Sequence, residues 1–247
     1  MTLLDEARCQ SPHEAKVFPS MEAVGDRCLM VRFGERIDPL VTAQVHSLTA
    51  WLLDHPPEGV IDVVPAFTTV ALHYRPERVT RTGSPYRQLA DTVGAVLAAG
   101  VPQIGQGSRS VEVPVCYGGE FGPDLDDVAR RCALTTQEVV RLHTASEVVV
   151  HTFFFSPGNP FAGPLDSRIV VPRRTTPHAR VEAGSVAIAN GLSSIYQVAS
   201  PGGWNVIGRT PWSMFDLTWT SPTRLRLGDR LKFVAVSSQD FASMDEH

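Results

Sequence analysis

Pro172-Arg173-Arg174 sets two guanidinium groups next to each other in the chain, a pair able to present cations to a carboxylate or phosphate. Each guanidinium carries donors in a fixed fork that matches a carboxylate or a phosphate. A solvated surface pair has the same sequence, so both readings stand. A third arginine, Arg209, closes the stretch Ser200-Pro-Gly-Gly-Trp-Asn-Val-Ile-Gly-Arg209. Pro-Gly-Gly favours a sharp turn, and Trp204 and Arg209 then lie on a short strand. An aromatic face near a guanidinium suits a groove for an anion or a planar group. A hairpin with a core tryptophan and a surface arginine is the plainer alternative. For proton transfer the candidates are Glu120, His143 and His151. His143 falls at a helix end, where an imidazolium also complements the dipole. His151 sits in an apolar strand, as a satisfied core histidine or as a general base. Glu120 and Asp124 bracket Phe-Gly-Pro; Asp124 reads as a helix N-cap, which leaves Glu120 to face a cleft. Tyr196 and Trp204 both adjoin turns and read as core residues or as ligand platforms.

Other chemistries lack their residues. There is no Gly-x-Ser-x-Gly elbow. Cys9, Cys28, Cys116 and Cys132 form no Cys-x-x-Cys pair, and the eight histidines show neither His-x-His nor His-Glu-x-x-His spacing, so no metal site is expected. The cysteines read as reduced thiols, with Cys28 and Cys116 inside strands. Gly105-Gln-Gly107 looks like a nucleotide loop, but Val111–Tyr117 follows as a strand pattern. A phosphate loop requires a helix N-terminus at that point.

These candidates must be held by the elements around them. Residues 1–20 are polar and unpatterned, as in a loose tail. Cys28–Phe33 reads as a strand, Pro39–Leu53 as a helix, Val60–Val64 and Thr69–Tyr74 as strands, and Tyr86–Leu97 as a helix. That β-α-β-β-α order suggests an α+β domain over 21–100, like a ferredoxin-like half. Residues 101–110 read as a linker and 111–238 as a second domain. The second domain opens with a strand over Val111–Tyr117 and helices at Leu125–Cys132 and from Thr135, where Thr-x-x-Glu138 is a capping box. Short strands follow at Val148–Phe155, Ser185–Ala189, Ile195–Val198, Trp204–Gly208 and Leu231–Val236, the pattern of a barrel or sandwich.

The 247 residues carry a net charge of −4, with 43% hydrophobic residues, 19 prolines and 19 glycines. That composition supports a packed, turn-rich fold and gives no electrostatic case for nucleic acid or an anionic membrane. No apolar run approaches a membrane span, and the start lacks an apolar leader core, so a soluble cytoplasmic chain is expected.

Several blocks together resemble one family: Gly25-Asp-Arg27, Val31-Arg-Phe-Gly34, Asp62-Val-Val-Pro-Ala-Phe-Thr-Thr69, Val113–Leu125, His143-Thr-Ala145, Pro157-Gly158, Pro172-Arg-Arg174, Ala183-Gly-Ser-Val186 and Ser200–Pro211. The chain is similar to the small subunit of the prokaryotic 5-oxoprolinase complex. That family is also called allophanate hydrolase subunit 1 and includes a sporulation kinase inhibitor. The resemblance implies a cyclophilin-like barrel after the small domain, a larger homologous partner subunit, and ATP-dependent opening of a lactam. By residue type, Arg173, Arg174 and Arg209 suit the phosphate or carboxylate of that reaction, and His143 or Glu120 suits the handling of protons. A histidine kinase as partner, or a stand-alone enzyme acting on a more apolar small molecule, are the alternatives.

The chain departs from the family around its central motif. Phe154, Asn159, Phe161 and Pro164 stand where the family has a glycine, an aromatic residue, a tyrosine and a glycine, and Leu192 replaces an amide side chain. These changes point to a more apolar pocket shaped by Phe153–Phe155, Phe161 and Leu192, with His151 or Asn159 supplying polarity.

Overall fold

The computed structural model describes residues 17–80, 82–101 and 109–244. The expected tail through residue 16, with Cys9, and the Gly105-Gln-Gly107 segment lie outside the described residues. The first sheet is built from β1 (Ser20–Ala23), β2 (Cys28–Arg32), β3 (Val60–Ala66) and β4 (Thr69–Tyr74), all antiparallel in the order β1-β2-β4-β3. Helix α1 (Pro39–Asp54) starts where Pro39 and an Asp38 cap, accepting the Leu40 amide at 2.8 Å, satisfy its first turn. It buries Val45, Leu48 and Leu52 against the sheet. A single-turn α2 (Pro76–Val79) leads into α3 (Pro85–Ala98), which adds Leu89 and Val93 to that core.

The order β2-α1-β3-β4-α3, with β4 between its neighbours, is the half ferredoxin-like arrangement that periodicity suggests. The edge beside β2 is filled by β1, a strand that periodicity does not reveal. Four residues with no alternation carry no strand signal; pairing from Ser20–Arg32 to Ala23–Leu29 makes the strand.

Strands β5 (Ser110–Tyr117), β6 (Glu147–Phe153), β7 (Pro160–Gly163), β9 (Ser185–Ala189), β10 (Leu192–Ile195), β12 (Asn205–Arg209) and β13 (Arg230–Ala235) close a barrel in the order β10-β7-β6-β13-β5-β12-β9. Only β5 and β13 run parallel within it. Strands β8 (His178–Val181) and β11 (Ser200–Gly202) form a separate ribbon. The remaining helices are α4 (Leu125–Arg131), α5 (Thr136–Ala145) and α6 (Ser238–Met244). The fold is α+β, as the sequence indicates. The expected capping box is present: Thr135 Oγ1 accepts the Glu138 amide at 3.2 Å, and Glu138 accepts the Thr135 amide at 2.8 Å.

Val113, Val115, Val148, Val150, Ile188, Ile195 and Phe233 fill the barrel with Val128, Val139 and Leu142 of α4 and α5. All five residues of β9 are buried, because both of its faces are covered. Val186 and Ile188 point inward, while Ala187 and Ala189 join Phe161, Val181, Trp204 and Val206 in a smaller core outside the barrel. The expected strand over Val148–Phe155 ends at Phe153, and Phe155 turns with φ 67°. The strand expected at Ile195–Val198 lies earlier, at Leu192–Ile195.

The sheet and barrel meet through α1, β3 and β6. Thr152 Oγ1 donates to the Pro65 carbonyl at 3.1 Å, and His46 Nε2 donates to the His151 carbonyl at 3.1 Å. Phe67, in the β3–β4 turn, sets its ring edge-on to Phe161 at 6.1 Å. No helix of the described residues is long and apolar enough to cross a membrane.

Candidate functional site

Outside the barrel, β7, β10 and β11 enclose a cleft of about 370 Å³. Alternation on β10 turns Ser193 into the barrel and Ser194 out to the cleft floor. Phe161 of β7 and Trp204 form one wall, edge to face at 5.0 Å and 86°. Tyr196, Ser200, Pro201 and Gly202 also line the cleft. Gly202 is required there: a Cβ would stand 2.2 Å from Tyr196 Oη. The loop 155–159 closes one end, pinned by Asn159 Nδ2 donating to the Phe154 carbonyl at 3.0 Å.

Arg173 brings the cleft its positive charge. Its guanidinium lies 5.9 Å from the Trp204 ring centre and has no carboxylate partner among the described residues. A chain of contacts fixes the loop that carries it. The fully buried Asn205 donates through Nδ2 to the Pro172 and Ile188 carbonyls, both at 3.0 Å, and Arg131 donates to Asn205 Oδ1 at 3.1 Å. Asp124, buried, accepts from the Val206 amide at 2.7 Å, from His178 Nε2 at 2.8 Å and from the Arg174 guanidinium. Asp124 therefore precedes α4 without capping it, contrary to the sequence expectation. Its carboxylate is used up in tying 174–178 to β12.

Ser194 is 3% exposed, and its hydroxyl has no hydrogen-bond partner among the described residues. A polar group in that state needs a ligand or water to satisfy it. Gln197 also lines the cleft, but its amide is engaged with Phe215 and Met214.

The structure brings Asn159, Phe161, Arg173, Tyr196 and Trp204 together in the cleft. The other sequence candidates lie elsewhere. Leu192 packs beneath in the small outer core, against Gly163. Arg174 turns to Asp124 and a separate groove shared with Arg131 and Thr176. Arg209 lies over Phe121, 5.9 Å from its centre, with a buried and unpartnered Nε. Glu120 is exposed in the turn after β5.

His143 is fully buried inside the barrel. Its Nδ1 meets Tyr117 Oη at 2.7 Å and its Nε2 meets Ser193 Oγ at 3.1 Å, with the ring stacked on Phe233 at 4.3 Å. Burial pulls the imidazole down to about 3. His151 lies at the sheet–barrel contact, its Nδ1 3.1 Å from Thr42 Oγ1, and burial with the nearby His46 takes it down to about 4. The cleft lining thus holds no imidazole and no carboxylate, and burial raises the Tyr196 phenol. The arrangement can bind and orient a ligand, but the cleft lining offers no base of its own. Among the described residues no cluster of three or more His, Cys, Asp or Glu could hold a metal.

Residue types and spacing do not single out Ser194 and Asn205 as site residues, and of the run Phe153–Phe155 named from the departures only Phe155 lines the cleft. The adjacent Ser193-Ser194 on a strand is a usable signal, since one of the two must face outward.

The family described as carboxyltransferase domain, subdomains C and D, matches residues 19–225. The B-type subunit of 5-oxoprolinase from Bacillus subtilis (strain 168) is 39% identical over 231 residues, covering 92% of this chain and 96% of that protein. The crystal structure of TTHA0988 superimposes with a TM-score of 0.74 at 34% identity over 86% of this chain; the chain spans 40% of its length. The Kluyveromyces lactis urea carboxylase shares the fold, with a TM-score of 0.69 at 18% identity over 94% of this chain and 23% of that chain.

Proposed function

This chain belongs to the carboxyltransferase-domain family, subdomains C and D, and from that premise we propose that it is the B-type member of an ATP-dependent 5-oxoprolinase complex. One observation carries the site assignment: an unpaired Arg173 beside Trp204, in the same cleft lining as an unpartnered Ser194 hydroxyl. A lactam carboxylate has the complementary set, namely an anion for the guanidinium, a flat ring for the indole and a carbonyl oxygen for the hydroxyl.

Opening an unstrained amide needs activation. The lactam oxygen attacks the terminal phosphorus of ATP and ADP leaves. Water adds to the activated carbon, the C–N bond breaks with a proton to nitrogen, and a second water releases phosphate and glutamate. This chain's part is to hold the ring and its carboxylate. The triphosphate fits poorly here. Among the described residues no glycine-rich loop opens a helix, and in the groove beside Arg173 the Arg131 and Arg174 cations are already matched by Asp127 and Asp124. In this reading a larger homologous subunit binds ATP and supplies the base, and the complex works in the cytoplasm. The sheet and barrel act as two domains, with Phe67 buttressing the cleft wall.

Turnover tests this directly. Glutamate and ADP formation from 5-oxoproline and ATP is measured for the chain alone, for its complex with the larger subunit encoded in the same organism, and for the Arg173→Gln complex. The complex alone should turn over at full rate, with a large loss in the variant. Hydrolysis by the isolated chain, or none by the complex, would overturn the assignment.

A further inference from the structure

Resting on the lactam-site reading above, we propose that the cleft is built for a cyclic-amide carboxylate bearing a flat apolar substituent, larger than 5-oxoproline itself. Two polar groups stand out: the free guanidinium of Arg173 and the buried hydroxyl of Ser194. These satisfy a single carboxylate and a single carbonyl. The Asn159 and Gln197 amides are engaged by the backbone, the Ser156, Ser200 and Tyr196 hydroxyls also reach the lining, and most of the remaining boundary is apolar, with Trp204, Phe161, Phe155 and Val198.

Phe155 is the informative residue. It is 80% exposed and has φ 67°, a conformation a bulky side chain rarely adopts. The Phe154 amide donates to the Asn159 carbonyl at 3.1 Å and Asn159 Nδ2 donates back to the Phe154 carbonyl, so the loop is locked in that shape. The lock holds the Phe155 ring at the cleft mouth, 6.0 Å from Phe161. Exposure and backbone strain both oppose this arrangement; apolar ligand surface laid against the ring offsets the first. Size points the same way. A cleft of about 370 Å³ falls within the roughly 300–1,000 Å³ of pockets that take drug-sized ligands, whereas 5-oxoproline has only about nine non-hydrogen atoms. With the carboxylate on Arg173 beside Trp204, the run of ring contacts from Trp204 through Phe161 puts Phe155 toward the unfilled end.

Calorimetric titration of the purified full chain with 5-oxoproline and with 4-benzyl-5-oxoproline tests the inference. The benzyl ligand binds at least about tenfold more tightly, since an apolar group in an apolar pocket discriminates by roughly ten- to two-hundred-fold. Phe155→Ala, an exposed position, shrinks that ratio, and Arg173→Gln weakens both ligands. Equal or tighter binding of 5-oxoproline overturns the inference while leaving the lactam-site reading intact. An unchanged ratio in Phe155→Ala overturns it as well. Binding of neither ligand overturns both the inference and the cleft assignment, and the turnover assay then judges the activity on its own.

Discussion

Acidification from pH 7 to pH 5 acts on two buried imidazoles at once. In the fold His143 is held near 3 and His151 near 4, chiefly by burial, and both are neutral throughout this range. In the unfolded chain each titrates near about 6.5. The unfolded state therefore takes up protons that the folded state refuses, and stability present above pH 6.5 falls as the pH drops below it. Each histidine loses up to about 1.4 kcal/mol per pH unit, or roughly 1.9 kcal/mol from pH 7 to pH 5. Together they remove about 4 kcal/mol, against typical stabilities of about 5–15 kcal/mol. His46, lowered by burial, adds to the same loss. The result changes by no more than about 0.4 kcal/mol per histidine as long as both folded values stay below 5. Ion-paired carboxylates such as Asp166, held at about 2, lose their contribution only below about pH 4. Urea unfolding followed by tryptophan fluorescence at the two pH values measures the difference. His143→Gln, which keeps a donor and an acceptor for Tyr117 and Ser193, should remove about half of the drop. Equal stability at pH 5 and pH 7 would refute the reasoning, because it would require charged or solvated imidazoles in the fold.

Two further outcomes follow from the cleft's supports. Asp124→Asn leaves the Arg174 and His178 side chains without their carboxylate. Breaking a buried pair costs about 3–5 kcal/mol; with Arg174 27% exposed to solvent, roughly 2–3 kcal/mol is expected, and an unchanged thermal midpoint would argue against the tie. Gly202→Ala forces a methyl against the Tyr196 ring and should cost about 1–3 kcal/mol while weakening ligand binding in calorimetry; wild-type affinity would show that β11 can move freely.

Much of the framework is legible because it is local. The 3.6-residue spacing marks α1 and α3, and Thr135-x-x-Glu138 marks the start of α5. Apolar strand runs mark β5, β9 and β13. Residue chemistry marks Arg173, Trp204 and Tyr196 as cleft candidates before any geometry. The ribbon β8–β11 and the edge strand β1 are obscure, because three or four residues hold an extended shape only through the partner they pair with.

What the sequence determined by itself was the inventory: an α+β chain with a strand-rich second half, a pair of arginines after a proline, a histidine at a helix end and another in an apolar strand. Only the tertiary structure decided which of them meet. Arg173 and Arg174 are indistinguishable as types, yet Asp124, fifty positions before Arg174, captures it and leaves Arg173 free over Trp204. His143 has the right chemistry for a base, but barrel closure surrounds it with Tyr117, Ser193 and Phe233 and keeps it neutral. Charge pairing and desolvation depend on distances between residues far apart in the chain, and spacing along the sequence does not encode them.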